Sequence, residues 1–353
     1  MSASGLNMRV LYVGDITEGG TCRQRMQALL DLGCQVTAVH TNPPEAQLST
    51  LVRRVRQKLF GLYDAAGVNE QILAHAAQKK FDVLWLDKAL TVMPETLARM
   101  RTLQPDCRIL GYSPDDMAAP HNHSPQFLAH LKYYSVFFTT KSYGVGELKQ
   151  LGCPAVEFIG NAYDEHTHRP LEVNEANRAR LGGPVGFIGT WEADRGNSML
   201  ALARAGITVR IWGNGWSQQR RRDANMLIER RAVYGDEYAL AISAFDINLT
   251  FLRKINRDQQ TQRSVEIPAC GAFMLAERTD EHCALFEEGK EADYFDSDAE
   301  LISKVRYYVD HPEERRRIAQ AGRERCLRDG YSYRERLATM LREFAGMRST
   351  CNA

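Results

Sequence analysis

The stretch Met8–His40, MRVLYVGDITEGGTCRQRMQALLDLGCQVTAVH, decides the fold. Met8–Gly14 is a short apolar run rich in β-formers. A Thr-Glu-Gly-Gly loop follows, Cys22–Leu32 carries a helical pattern, and after Gly33 a second strand-like run spans Cys34–His40. That sequence of signals predicts a βαβ unit with a glycine-containing first turn. The rhythm repeats in strand-like runs at Asp82–Leu86, Arg108–Tyr112 and Val136–Thr140, separated by helix-length segments such as Pro94–Leu103 and Ser124–Tyr133. Continuous apolar strands alternating with helices predict a parallel sheet covered on both faces.

The rhythm restarts further on. After Asn161–Pro170 a polar, helix-like connector leads to Val185-Gly-Phe-Ile-Gly189, and strand-like runs follow at Thr208–Trp212, Ile247–Phe251 and Ala272–Leu275. The length of 353 residues also suits two domains. The reading is therefore α/β with two Rossmann-like parallel-sheet domains, 1–168 and 169–330. Residues 331–353, a charged helix and tail, are expected to cross back to the N-terminal domain.

Hydrophobic residues make up 44% of the chain and charged residues 25%, as in a globular protein rather than a disordered or fibrous one. The 45 basic and 44 acidic residues leave a formal charge of +1, so no global field draws the chain to nucleic acid and any anion site must be local. The eight cysteines form no Cys-x-x-Cys pair, and MSASGLN leads into the first strand without a basic and then apolar leader. Both features predict reduced thiols and a cytoplasmic chain. No window approaches the roughly 20 apolar residues of a membrane-spanning helix.

In open parallel sheets, ligands bind beyond the carboxyl ends of the strands. That rule selects the loops Gly189–Arg195, Gly213–Trp216, Tyr234–Tyr238 and Arg253–Thr261. The last loop carries Arg253, Lys254 and Arg257 and leads into a helix predicted from about Thr261 to Cys270. A phosphate there would meet backbone amides and nearby cations. Glu266, expected more than one turn into the helix, can accept two hydroxyl hydrogen bonds, as a ribose diol offers. The alternative for Glu266 is an ion pair with Arg263 one turn earlier.

Family likeness adds to this. "VEIPACGAFML", Val265–Leu275, resembles the segment closing the Glu-x7-Glu motif of retaining glycosyltransferases of family 4, whose second Glu binds the donor ribose. Glu266 stands five residues before Gly271, as that Glu does, and Asp258 occupies the place of the first Glu. "FIGNAYDEHTHRP", Phe158–Pro170, resembles the interdomain segment of the same superfamily, glycosyl transferases group 1. "LWLDK", "SPDD", "FTTK", "GTWEADR", "WGNGW" and the long run from Arg263 to Cys326 resemble the CgeB-like, or spore-maturation-protein-B-like, glycosyltransferases.

These resemblances imply a GT-B fold, with the nucleotide-sugar on the C-terminal domain and the acceptor on the N-terminal one. Gly189, Thr190 and Arg195 would line the donor phosphates or sugar, and Gly213 with Tyr234, Asp236 and the rest of Tyr234–Tyr238 would surround the base. Thr261 and Arg263 complete the donor set with Asp258 and Glu266. Arg253 or Lys254 would neutralise the leaving diphosphate in place of a metal ion, and no Asp-x-Asp element stands where such a metal would be expected, so no cofactor is expected. The implied partners are a nucleoside-diphosphate sugar and a glycan, lipid-linked glycan or protein acceptor, as in polysaccharide biosynthesis, with retention of configuration. A nucleotide-sugar epimerase or phosphorylase, a non-catalytic binding module of the same fold, and a nicotinamide-dependent oxidoreductase are the rivals.

In the N-terminal domain, Asp87 and Lys88 end one strand-like run, and Asp115-Asp116 follow another. Asp116 is the leading candidate to orient the acceptor hydroxyl or act as base, with Lys88 beside it; its alternative role is a helix N-cap. His121 and His123 are lesser candidates for the same task. The stretch 48–62, LSTLVRRVRQKLFGL, pairs an apolar stripe with four cations and suits either a core-facing helix or one lying on an anionic membrane.

Overall fold

The computed structural model describes residues 6–43 and 63–350. Residues up to Gly160, together with those from Tyr333 onward, form one compact unit; Asn161–Ser332 form another.

The first unit strings together β1 (Arg9–Gly14), α1 (Thr21–Asp31), β2 (Gln35–His40), α2 (Val68–Gln78), β3 (Val83–Asp87), α3 (Pro94–Leu103), β4 (Arg108–Ser113), α4 (Pro125–His130), β5 (Val136–Thr139), α5 (Gly144–Gln150) and β6 (Val156–Phe158). Its strands are parallel, in the order β2-β1-β3-β4-β5-β6. All five residues of β3 are buried, as a central strand with helices on both faces requires. Proline opens both α3 and α4, where its missing N–H would have no intrahelical partner.

The second unit contains α6 (Glu175–Leu181), β7 (Gly183–Ile188), α7 (Ala193–Arg204), β8 (Val209–Trp212), β9 (Met226–Ile228), α8 (Gly235–Ala244), β10 (Phe245–Thr250), α9 (Arg263–Ala269), β11 (Met274–Glu277), α10 (Asp280–Leu285), β12 (Asp293–Phe295), α11 (Asp298–Asp310) and α12 (Pro312–Arg328). Its sheet is also parallel, in the order β12-β11-β10-β7-β8-β9. Ser297 caps α11 by accepting from Glu300 N, and Thr279 caps α10 by accepting from His282 N. The last helix, α13 (Tyr333–Thr350), packs on α1 within the first unit.

The unit boundary differs from the one expected after residue 168. Asn161 donates its backbone N–H and its side-chain amide to Gln260 Oε1 at 3.1 and 3.2 Å, and Tyr163 N donates to Tyr331 O at 3.1 Å. These bonds fasten Asn161–His168 to the second unit, so the division falls after Gly160.

The seven described cysteines are free. Among the described residues no helix is long and apolar enough to cross a membrane. The amphipathic stretch 48–62 lies outside the described residues.

Candidate functional site

In the second unit the chain runs outward from β7 through β8 to β9, then returns to the other side of β7 and runs outward again through β10, β11 and β12. Strand order reverses between β7 and β10. The loops leaving these two neighbours therefore diverge and leave a crevice at their carboxyl ends. Those loops begin at Gly189 and Phe251.

Arg195, in the first turn of α7, joins them. It is buried, and its guanidinium donates to Thr190 O at 3.0 Å and to Phe251 O at 3.3 Å, one acceptor in each loop. The guanidinium carbons of Arg195 and Arg263 lie 5.8 and 6.0 Å from the centre of one ring, that of Phe187 on β7. Neither Nε finds a hydrogen-bond partner among the described residues, and the same holds for buried Thr261 Oγ1. Arg253 Nε donates to Glu192 Oε1 at 2.9 Å, and Glu192 Oε1 lies 3.7 Å from Arg195 Nη1. Lys254 pairs with Glu277 at 3.0 Å, and Glu277 also accepts Leu252 N at 2.6 Å.

Positive charge dominates here. Burial pushes the Arg195 guanidinium down to about 10, and Arg263 and Arg253 add to the shift against the opposing pull of Glu192 and Glu277. A buried guanidinium crowded by other cations, with an Nε donor unused among the described residues, is suited to an anionic ligand. Arg195, Arg253 and Arg263 are thus brought together, with Thr190 and Lys254 beside them.

Glu266 stands next to this cluster. Because α9 begins at Arg263, Glu266 lies in the first turn, not beyond it as the sequence suggested. Its carboxylate is buried, and among the described residues it is not ion-paired with Arg263 as the alternative reading required. Instead Tyr238 donates its hydroxyl to Oε2 at 2.6 Å, and His168 Nε2 lies 3.6 Å from Oε1. His168 Nδ1 accepts Asp164 N at 2.9 Å, which leaves the ring proton on Nε2, facing Glu266. Burial, reinforced by the Glu266 charge, raises the Tyr238 phenol well above its ordinary value, so it remains a donor. Each oxygen of Glu266 retains acceptor capacity for a ligand hydroxyl.

The glycines set how closely the loops approach. A Cβ on Gly213, at φ +146°, would lie 2.0 Å from Gly189 O, so the loops after β7 and β8 touch through backbone alone. Trp216 Nε1 donates to Gly189 O at 2.8 Å and fixes that turn. The Tyr234–Tyr238 segment is split in its roles. Tyr234 and Asp236 face solvent, Asp236 paired with Arg169 at 3.0 Å, while Tyr238 turns inward to Glu266. Asp258 is buried in the loop before α9, where its N–H reaches Arg253 O at 3.2 Å.

The first-unit candidates are divided by the structure. Asp87 is buried and committed: Arg25 holds it through two donors at 2.7 and 2.9 Å, and the Tyr12 hydroxyl lies at 2.5 Å. Lys88, next in sequence, has a positive φ of 46° and pairs with Asp115. Asp116 is buried, and its carbonyl accepts Ala119 N and the Asn122 side chain. It is not the cap of α4, a task performed by Ser124, which accepts Phe127 N. His123 Nδ1 contacts Met117 O at 2.9 Å. Among the described residues no group of three His, Cys, Asp or Glu side chains is arranged to hold a metal ion.

Sequence reading missed Glu192, His168 and the inward role of Tyr238. His168 belongs to a segment that read as an interdomain connector, and only its proximity to Glu266 in space reveals its task. Glu192 lay inside a selected loop; asking which acids flank the cations would have found it.

Residues 195–342 match a family model described as Glycosyl transferase-like. No curated protein gives a significant match. Among solved structures, the chain is similar to sucrose-phosphate synthase from Thermosynechococcus elongatus, with a TM-score of 0.66 and 13% identity over 97% of this chain and 100% of that one. Anabaena HepE in complex with UDP-glucose gives a TM-score of 0.62 and 14% identity over 97% and 100% of the two chains. A glycosyltransferase from Rickettsia africae gives 0.62 and 11% over 96% and 98%. The two six-stranded parallel sheets thus have the GT-B fold of two Rossmann-like domains.

Proposed function

We propose that this chain is a glycosyltransferase of the CgeB-like kind that moves a sugar from a nucleoside diphosphate to a hydroxyl of a glycan, lipid-linked or protein acceptor, with retention and without a metal cofactor. The observation that carries the reading is the pairing of an oriented carboxylate, Glu266, with an excess of guanidinium charge at the β7/β10 switch point. A nucleotide offers the complementary set of a hydroxyl pair and a diphosphate. The match of residues 195–342 to a glycosyl transferase-like model supports it, because that span includes Arg195, Arg253, Arg263 and Glu266. HepE is held with UDP-glucose, which makes UDP-sugars the first donors to test.

In this reading Glu266 holds the ribose, Arg195 and Arg263 bind the diphosphate, and Arg253 with Lys254 stabilises negative charge on the leaving group. Gly189 and Gly213 let the donor approach the backbone. Asp116 and Lys88 serve the acceptor. Arginine charge takes the place of a metal ion, so chelation leaves the rate unchanged.

The test is titration of nucleoside diphosphates into the chain and its Glu266→Ala variant, followed by a transfer assay with candidate acceptors. Glu266→Ala is expected to weaken binding about 100-fold or more, the loss of two charge-assisted hydrogen bonds. Normal binding by the variant would remove the donor-site assignment. Donor epimerised in the absence of any acceptor would favour the epimerase alternative.

A further inference from the structure

Glu192 is the acid that most directly opposes the proposed chemistry. It begins α7 as N-cap residue, yet its side chain makes no capping hydrogen bond. Helix caps ordinarily use that side chain to satisfy a free N–H of the first turn. Glu192 reaches instead to Arg253 Nε at 2.9 Å, and the same Oε1 stands 3.7 Å from Arg195 Nη1. One carboxylate thereby offsets two of the cations that a diphosphate would need.

Resting on the donor-site reading above, we infer that Glu192 is a specificity-determining residue, an internal stand-in for phosphate that a highly charged ligand must displace from Arg253.

The pair is built to be exchanged. Arg253 is 48% exposed and Glu192 25%, so water screens their attraction and it is readily broken. Glu277 is different: it accepts Leu252 N at 2.6 Å besides pairing with Lys254, which ties it to the backbone. Arg195 remains fixed by two carbonyls whether Glu192 is near or not. A diphosphate carries enough charge to replace the carboxylate at both guanidiniums, a monophosphate less, and an uncharged nucleoside none. After transfer, the return of Glu192 to Arg253 favours release of the nucleoside diphosphate. Selectivity thus includes a repulsive element as well as the attractive guanidiniums.

The experiment uses the nucleoside diphosphate that most stabilises the chain in a thermal-shift panel of uridine, guanosine, adenosine and thymidine diphosphates. Its diphosphate, monophosphate and nucleoside forms are titrated calorimetrically into wild type, Glu192→Gln and Glu192→Asp. Glu192→Gln keeps the shape and the acceptor for Arg253 but removes the charge. It is expected to tighten the diphosphate about 10-fold and the monophosphate about 3-fold, leave the nucleoside unchanged, and steepen the salt dependence of diphosphate binding. Glu192→Asp, which keeps the charge, stays close to wild type. Unchanged or weaker diphosphate binding by Glu192→Gln overturns the inference alone. An equal gain for all three ligands does so too, since it marks general loosening. Failure of wild type and variants to bind any of the four diphosphates overturns the donor-site reading and this inference with it.

Discussion

Tyr238 donates its hydroxyl to Glu266 at 2.6 Å from a neighbouring helix, so the orientation of the carboxylate is set before any ligand arrives. Tyr238→Phe removes that bond and leaves the ring packing in place. The expected outcome is diphosphate affinity lowered about 10- to 150-fold, the range of one hydrogen bond to a charged group, with little change for a ligand lacking the ribose diol. Calorimetry with ribo- and 2′,3′-dideoxyribonucleotides checks it. Equal losses for both ligands would mean that Tyr238 acts elsewhere.

The two units are assigned different tasks, and kinetics can separate them. Asp116→Asn is expected to lower kcat by about 100-fold or more while leaving donor affinity near wild type, because its proposed partner is the acceptor hydroxyl. Glu266→Ala does the reverse, acting on donor binding first. A rate for Asp116→Asn within a few-fold of wild type would remove Asp116 from the chemistry.

His130, at the end of α4, is buried between Phe127 and Tyr134, with ring centres 5.2 and 5.4 Å away, and burial lowers its pKa to about 4. An unfolded histidine titrates near 6.5. The folded value is the lower one, so the neutral ring's contribution is complete above pH 6.5 and is lost as pH falls toward 4. The shift corresponds to at most roughly 3 kcal/mol. Urea denaturation from pH 7.5 to 4 should show a smaller acid-side loss in His130→Leu than in wild type. Parallel profiles would show that the ring is not held neutral.

Arg25 and Asp87 form a buried pair, joined by the Tyr12 hydroxyl, with the Arg25 guanidinium 4.5 Å from the Tyr112 ring and donating to the Tyr333 hydroxyl at 3.2 Å. Removing one member leaves a buried charge without its counterion, which costs about 3–5 kcal/mol. Arg25→Met should therefore unfold at markedly lower urea concentration. Hydrogen exchange in α13 should rise with it, since Tyr333 opens that helix. Arg25→Met combined with Asp87→Leu is expected to regain much of the loss, which would distinguish a stranded carboxylate from a packing defect.

The central strands were legible because each is a continuous apolar run covered on both faces. β6, β9 and β12 were not. Each has three residues and stands at the edge of its sheet, with a neighbour on one side only, too short for a periodic signal. Glu266 was legible from its spacing to Gly271, and Arg195 and Arg253 from their loops. The partners of Glu266 were not, since Tyr238 and His168 approach it through folding rather than along the helix. Arg25 lies in the segment Cys22–Leu32, whose helical pattern says nothing of a buried cation; only the meeting of β1, β3, α1 and α13 explains how a guanidinium comes to be sealed inside.

Arg25 and Asp87 are translated early, whereas Tyr333, which shares their buried network, emerges only after the whole of Asn161–Ser332. The N-terminal unit is therefore discontinuous in sequence. On the ribosome its sheet can form while the α13 berth on α1 stays empty, and the inserted unit can fold in the interval. Completion of the first-made half thus waits on nearly the last-made helix, and a nascent chain halted before Tyr333 would carry an unfinished, protease-sensitive N-terminal half.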